Sequence, residues 1–359
     1  MKEINLLIKY LKPHLNWNQA RIIFLAQFLI ALIKAGSVNL SRIAPKFIGS
    51  ADSSSHYKRL QRFFRSYEFD HEDILYLVLT ILRIPTPWVL CLDRTNWKFG
   101  SININILVLA IAHEGVAIPI FWCFLDKKGI SSVTERIQLL DCFLAVFPAH
   151  LVAYITADRE FRGKKWLAYF KKHQLKPRLR IPNNTKMLSK KGKKKIPVTA
   201  AFPHHPQKLL SLKRSVFIWE HPVYVSALYT GSEYVVVISF NADDQRMDEY
   251  KLRWQIETLF SCLKTRGFNL EDTHIKDLER LSKLFSLVII AFCWAYQTGL
   301  WVHQKKPVDV KKHGYWAKGF FKQGFEFLQN IFENIHYKLQ DFLACIKFLT
   351  KTNAVIYNE

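Results

Sequence analysis

Residues 88–126 read WVLCLDRTNWKFGSININILVLAIAHEGVAIPIFWCFLD. Three apolar runs stand out in this stretch: WVLCLD (88–93), INILVLAIAH (104–113) and AIPIFWCFLD (117–126). Each is rich in β-branched and aromatic residues and bounded by turn formers, which reads as three successive strands. Downstream, Ser131, Ser132 and Thr134 open a helical stretch, TERIQLLDCFLAVF. A fourth strand follows at LVAYITAD (151–158), then a helical GKKWLAYFKKH and a short strand, PRLRIP (177–182). The periodicity lapses from 183 to about 215, where NNTKMLSKKGKKKIPVTAAFPHHPQK reads as a basic inserted segment. Strand-like runs resume at 215–220, 222–230 and 233–240. A helix is then expected from about Asp244 to Arg266, closed by Gly267 as its C-terminal cap. The order of three strands, helix, strand, helix, strand, insertion, strand and helix predicts a mixed α/β sheet flanked by helices.

The rest of the chain is helical in pattern. Residues 1–85 contain an apolar stretch from Trp17 to Lys34. SSSHYKRLQRFFRSY follows, a short helix carrying Lys58, Arg59, Arg62 and Arg65. A basic helix with a Ser-rich start suits contact with phosphate; the same residues also suit a solvated helix face. Near the other end, Leu284–Val302 has no formal charge and is long enough to span a bilayer. It contains Ser286, Gln297, Thr298 and Gly299 and has no companion, so a buried core helix is the expectation.

Composition narrows the partners. The 359 residues are 50% hydrophobic and 14% aromatic, as a globular protein requires. Lys and Arg number 52 against 29 Asp and Glu, a net charge of +23. Such an imbalance repels itself and points to an anionic partner, nucleic acid before a membrane surface. The six cysteines form no CxxC pair and sit in apolar stretches, as free thiols of a reducing compartment do.

Three acids carry the candidate chemistry. Asp93 ends the first expected strand and Asp158 the fourth, while Glu257 lies in YKLRWQIETLFSCLKTRG (250–267). Asp commonly begins turns, but three acids on rigid elements also hold the pair of Mg²⁺ ions, about 3.5–4 Å apart, that phosphodiester cleavage uses. With Tyr250 set at 0°, a step of about 100° puts Arg253 at roughly 300°, Glu257 at roughly 340° and Lys264 at roughly 320°. Leu252, Ile256, Leu259, Phe260 and Leu263 fall on a separate, core-facing stripe.

The spacing Tyr250, Arg253, Glu257, Lys264, with Asp93 in LDRTNW and Asp158 in ADREF, resembles the DDE transposases of bacterial insertion sequences. Within them it is most similar to the insertion-sequence-four branch. The resemblance runs from about residue 35 to 300. It implies an RNase H-like core split by a β-rich insertion. Residues 1–85 are then a helical DNA-binding region, 86–182 and 233–302 the two parts of the core, 183–232 the insertion, and 303–359 a helical C-terminal region. It further implies metal ligation and catalysis by Asp93, Asp158 and Glu257. Two Mg²⁺ ions are expected, with Mn²⁺ as a substitute. Arg253, Lys264 and Tyr250 are expected on DNA phosphates, and Lys58, Arg59, Arg62 and Arg65 on the element's ends. Trp219, the only Trp between 167 and 253, is the expected stacking partner for a flipped base at a hairpin step; packing of a small sheet is its other use. The implied partners are double-stranded terminal repeats and target DNA, engaged by a homodimer in the bacterial cytoplasm, with no membrane. Two further readings stay open: a stand-alone RNase H-like nuclease or resolvase, and a catalytically silent DNA-binding protein.

Overall fold

The computed structural model describes residues 2–189, 195–205, 208–242, 246–311 and 316–350. The chain divides into two compact units. One takes the chain up to Ile84, Trp97–Ile104 and the chain from Phe260 onward; the other takes Pro85–Asn96 and Asn105–Leu259.

The first unit begins with α1 (Lys2–Leu11), α2 (Gln19–Ala35), α3 (Leu40–Ile43), α4 (Ser53–Ser66) and α5 (His71–Leu82). The Asn18 side chain accepts from the Arg21 backbone N–H to start α2, and Gly36, at φ 58°, ends it. Asp52 caps α4 in the same way, accepting from Ser55. Helix α2 is apolar on nearly every side because it is enclosed, with Phe24, Leu25, Phe28 and Leu32 all buried.

The second unit is built on the sheet. Its strands are β1 (Trp88–Phe99), β2 (Ile102–His113), β3 (Val116–Phe124), β4 (Val152–Ala157), β5 (Pro177–Ile181), β6 (Lys186–Ser189), β7 (Lys195–Pro197), β8 (Leu209–Ser211), β9 (Val216–Ile218), β10 (His221–Tyr229) and β11 (Tyr234–Ser239). Helices α6 (Val133–Val146) and α7 (Lys164–Lys172) connect strands; α8 (Arg246–Lys251) and α9 (Trp254–Lys264) follow β11. A capping box of Ser132 and Glu135 fixes the start of α6. Among the described residues the order across the sheet is β3-β2-β1-β4-β5-β11-β10-β9-β6-β7, with β8 also paired to β10. Strands β1, β4 and β5 are parallel, β2 and β3 antiparallel. This is the mixed α/β sheet that the pattern of runs predicts.

Two strand expectations are corrected. Asp93 does not end β1, which continues to Phe99 as one arm of a long hairpin; Thr95 and Trp97 turn inward while Asn96 and Lys98 face out. Residues 221–229, expected within the insertion, pair with β11, and β11 pairs with β5, so this strand belongs to the main sheet. The Lys-rich segment 190–194 and the expected helix start at Asp244 lie outside the described residues.

The chain then returns to the first unit as α10 (Leu278–Lys305), α11 (Phe320–Glu333) and α12 (Leu339–Ile346). Helix α10 is long and apolar enough to cross a bilayer, but 78% of its most apolar stretch is buried, packed on α11, α5 and α2. Its approach to α11 is close. A Cβ on Gly299 would sit 1.8 Å from the Phe320 carbonyl oxygen, and one on Gly324 would sit 1.9 Å from that of Ala295. Gly267 is likewise required by contact, since a Cβ there would meet Phe321 at 2.5 Å. It is not among the residues with positive φ, so the expected left-handed cap is replaced by a steric demand.

Candidate active site

All three candidate acids lie in the sheet unit. On β1, Cys91 and Asp93 share a face through the period of two. Cys91 Sγ contacts the Leu252 carbonyl at 3.5 Å, and Asp93 Oδ2 accepts from Arg253 Nη1 at 3.0 Å. Asp158 follows directly on β4. It accepts from the Tyr250 hydroxyl at 3.3 Å and lies 3.8 Å from Arg180. Glu257, one turn along α9, accepts from Arg253 Nη2 at 2.6 Å. Arg253 thus joins Asp93 to Glu257, and Tyr250 ties Asp158 to the same segment.

The single helix expected over 244–266 is broken here. Residues 252–253 form turns, with Arg253 N–H bonding to the Tyr250 carbonyl and Ile256 N–H to that of Arg253. The sequence YKLRWQIE holds no Pro or Gly to announce a break; the contacts of Cys91 and Asp93 impose it. Helix α8 is held on the sheet from below. Arg178 of β5 pairs with Glu249, and Arg246 donates to Ser226 and Ser239. Tyr250 packs with Met247 and Val237. The core stripe is as expected for Ile256, Leu259, Phe260 and Leu263, which are buried, while Leu252 is half-buried.

Burial shapes the site's charges. Asp93, whose side chain is 16% exposed, is pushed up to about 6, chiefly by burial, with the Glu160 and Asp158 carboxylates adding to the effect. The Arg94 N–H and Arg253 oppose it. Tyr250 is pushed up to about 12, again mainly by burial, so its phenol keeps its proton and donates to Asp158. Burial works against the charge on Arg253, yet Tyr250, Glu257, Asp93 and Asp158 outweigh it and hold the guanidinium cationic. Its Nε is buried and has no partner among the described residues.

The donor chemistry fits a hard divalent cation: three carboxylates, none thiolate or imidazole. Among the described residues no three acids or histidines stand at metal-binding spacing. The positive charge between Asp93 and Glu257 is supplied by Arg253.

Other expected residues divide. Lys264 ends α9 but is paired with Glu271 at 2.7 Å and lies over the Trp97 ring, both within the helical unit. Trp219 is half-buried in the two-residue turn between β9 and β10, at φ 47°. The neighbouring Glu220 pairs with Lys164, and His221 contacts the Lys164 carbonyl. On α4, Phe63 and Phe64 are buried. Arg59 and Arg62 line one cavity, Arg65 lines another, and Lys58 lines neither. The four cations therefore do not form one cluster.

Four residues of the site escaped the sequence reading. Arg94 makes a bidentate pair with Glu160 at 3.2–3.3 Å, bracing the segments that carry Asp93 and Asp158. Arg180 reaches Asp158, and Trp254 is 64% exposed beside Arg253. Arg94 and Glu160 fall within the LDRTNW and ADREF motifs, where opposite charges one and two places after the aspartates were the available signal.

Residues 129–294 match the family model described as Transposase DDE domain. The matched span holds Asp158, Tyr250, Arg253, Glu257 and Lys264 and begins after Asp93. No curated protein sequence matches the chain. Among solved structures, the cryo-EM structure of a piggyBac transposase synaptic complex with hairpin DNA is similar over 92% of this chain and 77% of its own. The identity is 12% and the TM-score 0.48.

Proposed function

We propose that the chain is a DDE-type DNA transposase of the insertion-sequence-four branch, which binds the ends of its element, cleaves them and joins them to target DNA. The observation that carries this reading is the gathering of Asp93, Asp158 and Glu257 about Arg253 and Tyr250. The match of residues 129–294 to the transposase DDE domain supports it.

In this reading Asp93, Asp158 and Glu257 hold the divalent ions, Mg²⁺ or Mn²⁺. When bound, such ions supply a metal-activated water and charge stabilisation at the leaving oxygen. Arg253, with an Nε–H still free to donate, engages a phosphate beside the cut. Tyr250 keeps its proton and orients Asp158. Arg94 and Glu160 fix the two loops against each other. Lys264 reaches a phosphate only by leaving Glu271. The cations of α4, Lys58, Arg59, Arg62 and Arg65, serve binding of the element's ends. A homodimer in the bacterial cytoplasm completes the proposal.

The test is a cleavage and joining assay on the DNA flanking the gene, with Mg²⁺ or Mn²⁺. Nicking at the element boundary followed by joining to a second duplex is the expected result. Asp158→Ala should lower nicking on the order of a thousandfold, as loss of transition-state electrostatics does, with DNA binding retained. Nicking without joining would favour the stand-alone nuclease, and full nicking by Asp158→Ala would remove the acid assignment.

A further inference from the structure

In the helical unit, α2 and α4 face each other across a cavity of about 510 Å³. Its walls include Arg21 and Phe24 from α2 and Ser55, His56, Arg59 and Arg62 from α4. On α4 the spacing of Ser55, Arg59 and Arg62 (i, i+4, i+7) sets them on one face.

None of the three arginines forms an ion pair with a carboxylate among the described residues. Their contacts fix direction without removing charge. Arg59 donates to Gln27 Oε1 at 2.7 Å and lies 5.4 Å from the centre of the Phe24 ring. The Arg21 guanidinium lies 4.6 Å from the centre of the Tyr67 ring. Burial lowers the proton affinity of Arg59, and the charge of Arg21 lowers it further, so two like charges crowd one spot. Asp52 is close enough to feel His56, but its Oδ1 is taken up by the Ser55 N–H at 2.7 Å and the Ser54 hydroxyl at 3.1 Å.

His56 supplies the second, independent observation. It is 7% exposed, rests against Phe47, and lines the cavity with a buried Nε2 that has no hydrogen-bond partner among the described residues. Buried polar atoms are rarely left so. An anion with several acceptor oxygens meets every demand at once: it takes the Nε2–H of His56, neutralises the arginines, and accepts from their forked N–H groups. Tetrahedral phosphate has that form. Lys58 and Arg65 extend the basic surface of α4 beyond the cavity, which favours a phosphate carried on a polyanion.

We propose that Arg21, His56, Arg59 and Arg62 form a pocket that seats one backbone phosphate of duplex DNA. The source of the phosphate rests on the transposase reading; the pocket itself rests on the geometry alone.

The test uses the full-length protein and two probes, duplex DNA and inorganic phosphate, with chloride at equal ionic strength as control. Ring ¹⁵N signals of the histidines are followed by NMR, and the His56 signal is identified by its loss in His56→Gln. DNA affinity is measured against salt for the parent, for Arg21→Gln/Arg59→Gln, and for Arg62→Gln. Arg62 is exposed, so its replacement does not threaten the fold. The expected result is a His56 shift with DNA, and a slope of log K against log salt made shallower by about 0.9 in the variants, the value of one phosphate. DNA binding with an unchanged slope and a still His56 would overturn the pocket and leave the transposase reading standing. A His56 shift with inorganic phosphate, lost in the double variant, in a protein that binds no DNA would uphold the pocket and remove the transposase reading. No His56 response to either probe would overturn the pocket.

Discussion

Arg253 Nη1 donates to Asp93 Oδ2 at 3.0 Å although the two residues stand 160 positions apart in the chain. The side chains are 7% and 16% exposed, so this is a largely buried ion pair. Removing one partner of such a pair leaves an uncompensated buried charge, at a cost of about 3–5 kcal/mol. Glu257, the second partner, is 37% exposed and adds little after solvent screening. Arg253→Ala should therefore lower metal-free stability by about 3 kcal/mol, the low end of that range. Mn²⁺ should raise the stability of the variant more than that of the parent, because it replaces the missing cation between the acids. Urea denaturation with and without Mn²⁺ measures both effects. Equal Mn²⁺ responses would mean that the ion binds elsewhere.

Asp93 gives a pH dependence to metal binding. Its carboxyl is pushed up to about 6 by burial, reinforced by Glu160 and Asp158. Below that pH the group carries a proton that a cation must displace; above it the carboxylate is already ionised. Mn²⁺ affinity should then fall about tenfold for each pH unit below 6, the behaviour of one linked proton, and level off above it. Calorimetry between pH 5 and 8 in two buffers of different protonation enthalpy reports the protons released. The dependence should disappear near pH 6 in Asp93→Asn, whatever affinity that variant retains.

The parts of this site that were legible in the sequence are those set by local pattern. Val152–Ala157 ends where its apolar run ends, so Asp158 lies where the run predicts. Ile256, Leu259 and Leu263 are buried as a 3.6-residue period requires. What was not legible depends on partners far away in the chain. The break at residues 252–253 follows from Cys91 and Asp93, not from any helix breaker in YKLRWQIE. Lys264 shares a wheel position with Glu257, yet Glu271 claims it. Asp93 looked terminal because TNWKF is polar at alternate positions, which is how a strand with one exposed face continues. On α4, composition showed four cations but could not show that α2 brings Arg21 to only two of them.

The α10–α11 crossing depends on Gly299 and Gly324, where an added Cβ would fall 1.8 Å and 1.9 Å from backbone carbonyl oxygens. These neighbours are backbone, so relief requires the helices to separate. Gly299→Ala and Gly324→Ala should each destabilise by about 3 kcal/mol or more, beyond the usual range for overpacking. This occurs even though alanine favours helix over glycine by about 1 kcal/mol. Gly319→Ala, with nothing within 4 Å of its Cβ position, is the matched control and should change stability little. Chemical denaturation decides it; wild-type stability in both crossing variants would show that the helices are not packed this closely.

Two tryptophans compete for the role of stacking on a displaced base. Trp219 is half-buried in the β9–β10 turn, which is tied to Lys164, six residues after Asp158. Trp254 follows Arg253 directly, precedes Glu257 by three residues, and is 64% exposed. A large exposed aromatic beside the acids offers a free face, and base–aromatic stacking contributes about 1–3 kcal/mol per base. A half-buried ring must first give up its own packing. If a hairpin step is used, Trp254→Ala should therefore slow it by roughly 10-fold or more on pre-nicked ends, the scale of that stacking energy. Trp219→Ala should slow it less and lower the stability of the sheet unit. Initial nicking should be near normal in Trp254→Ala, since the ring makes no contact with the acids beyond Arg253. Loss of hairpin formation in Trp219→Ala at unchanged stability, with Trp254→Ala unaffected, would reverse the assignment and return the stacking role to the turn.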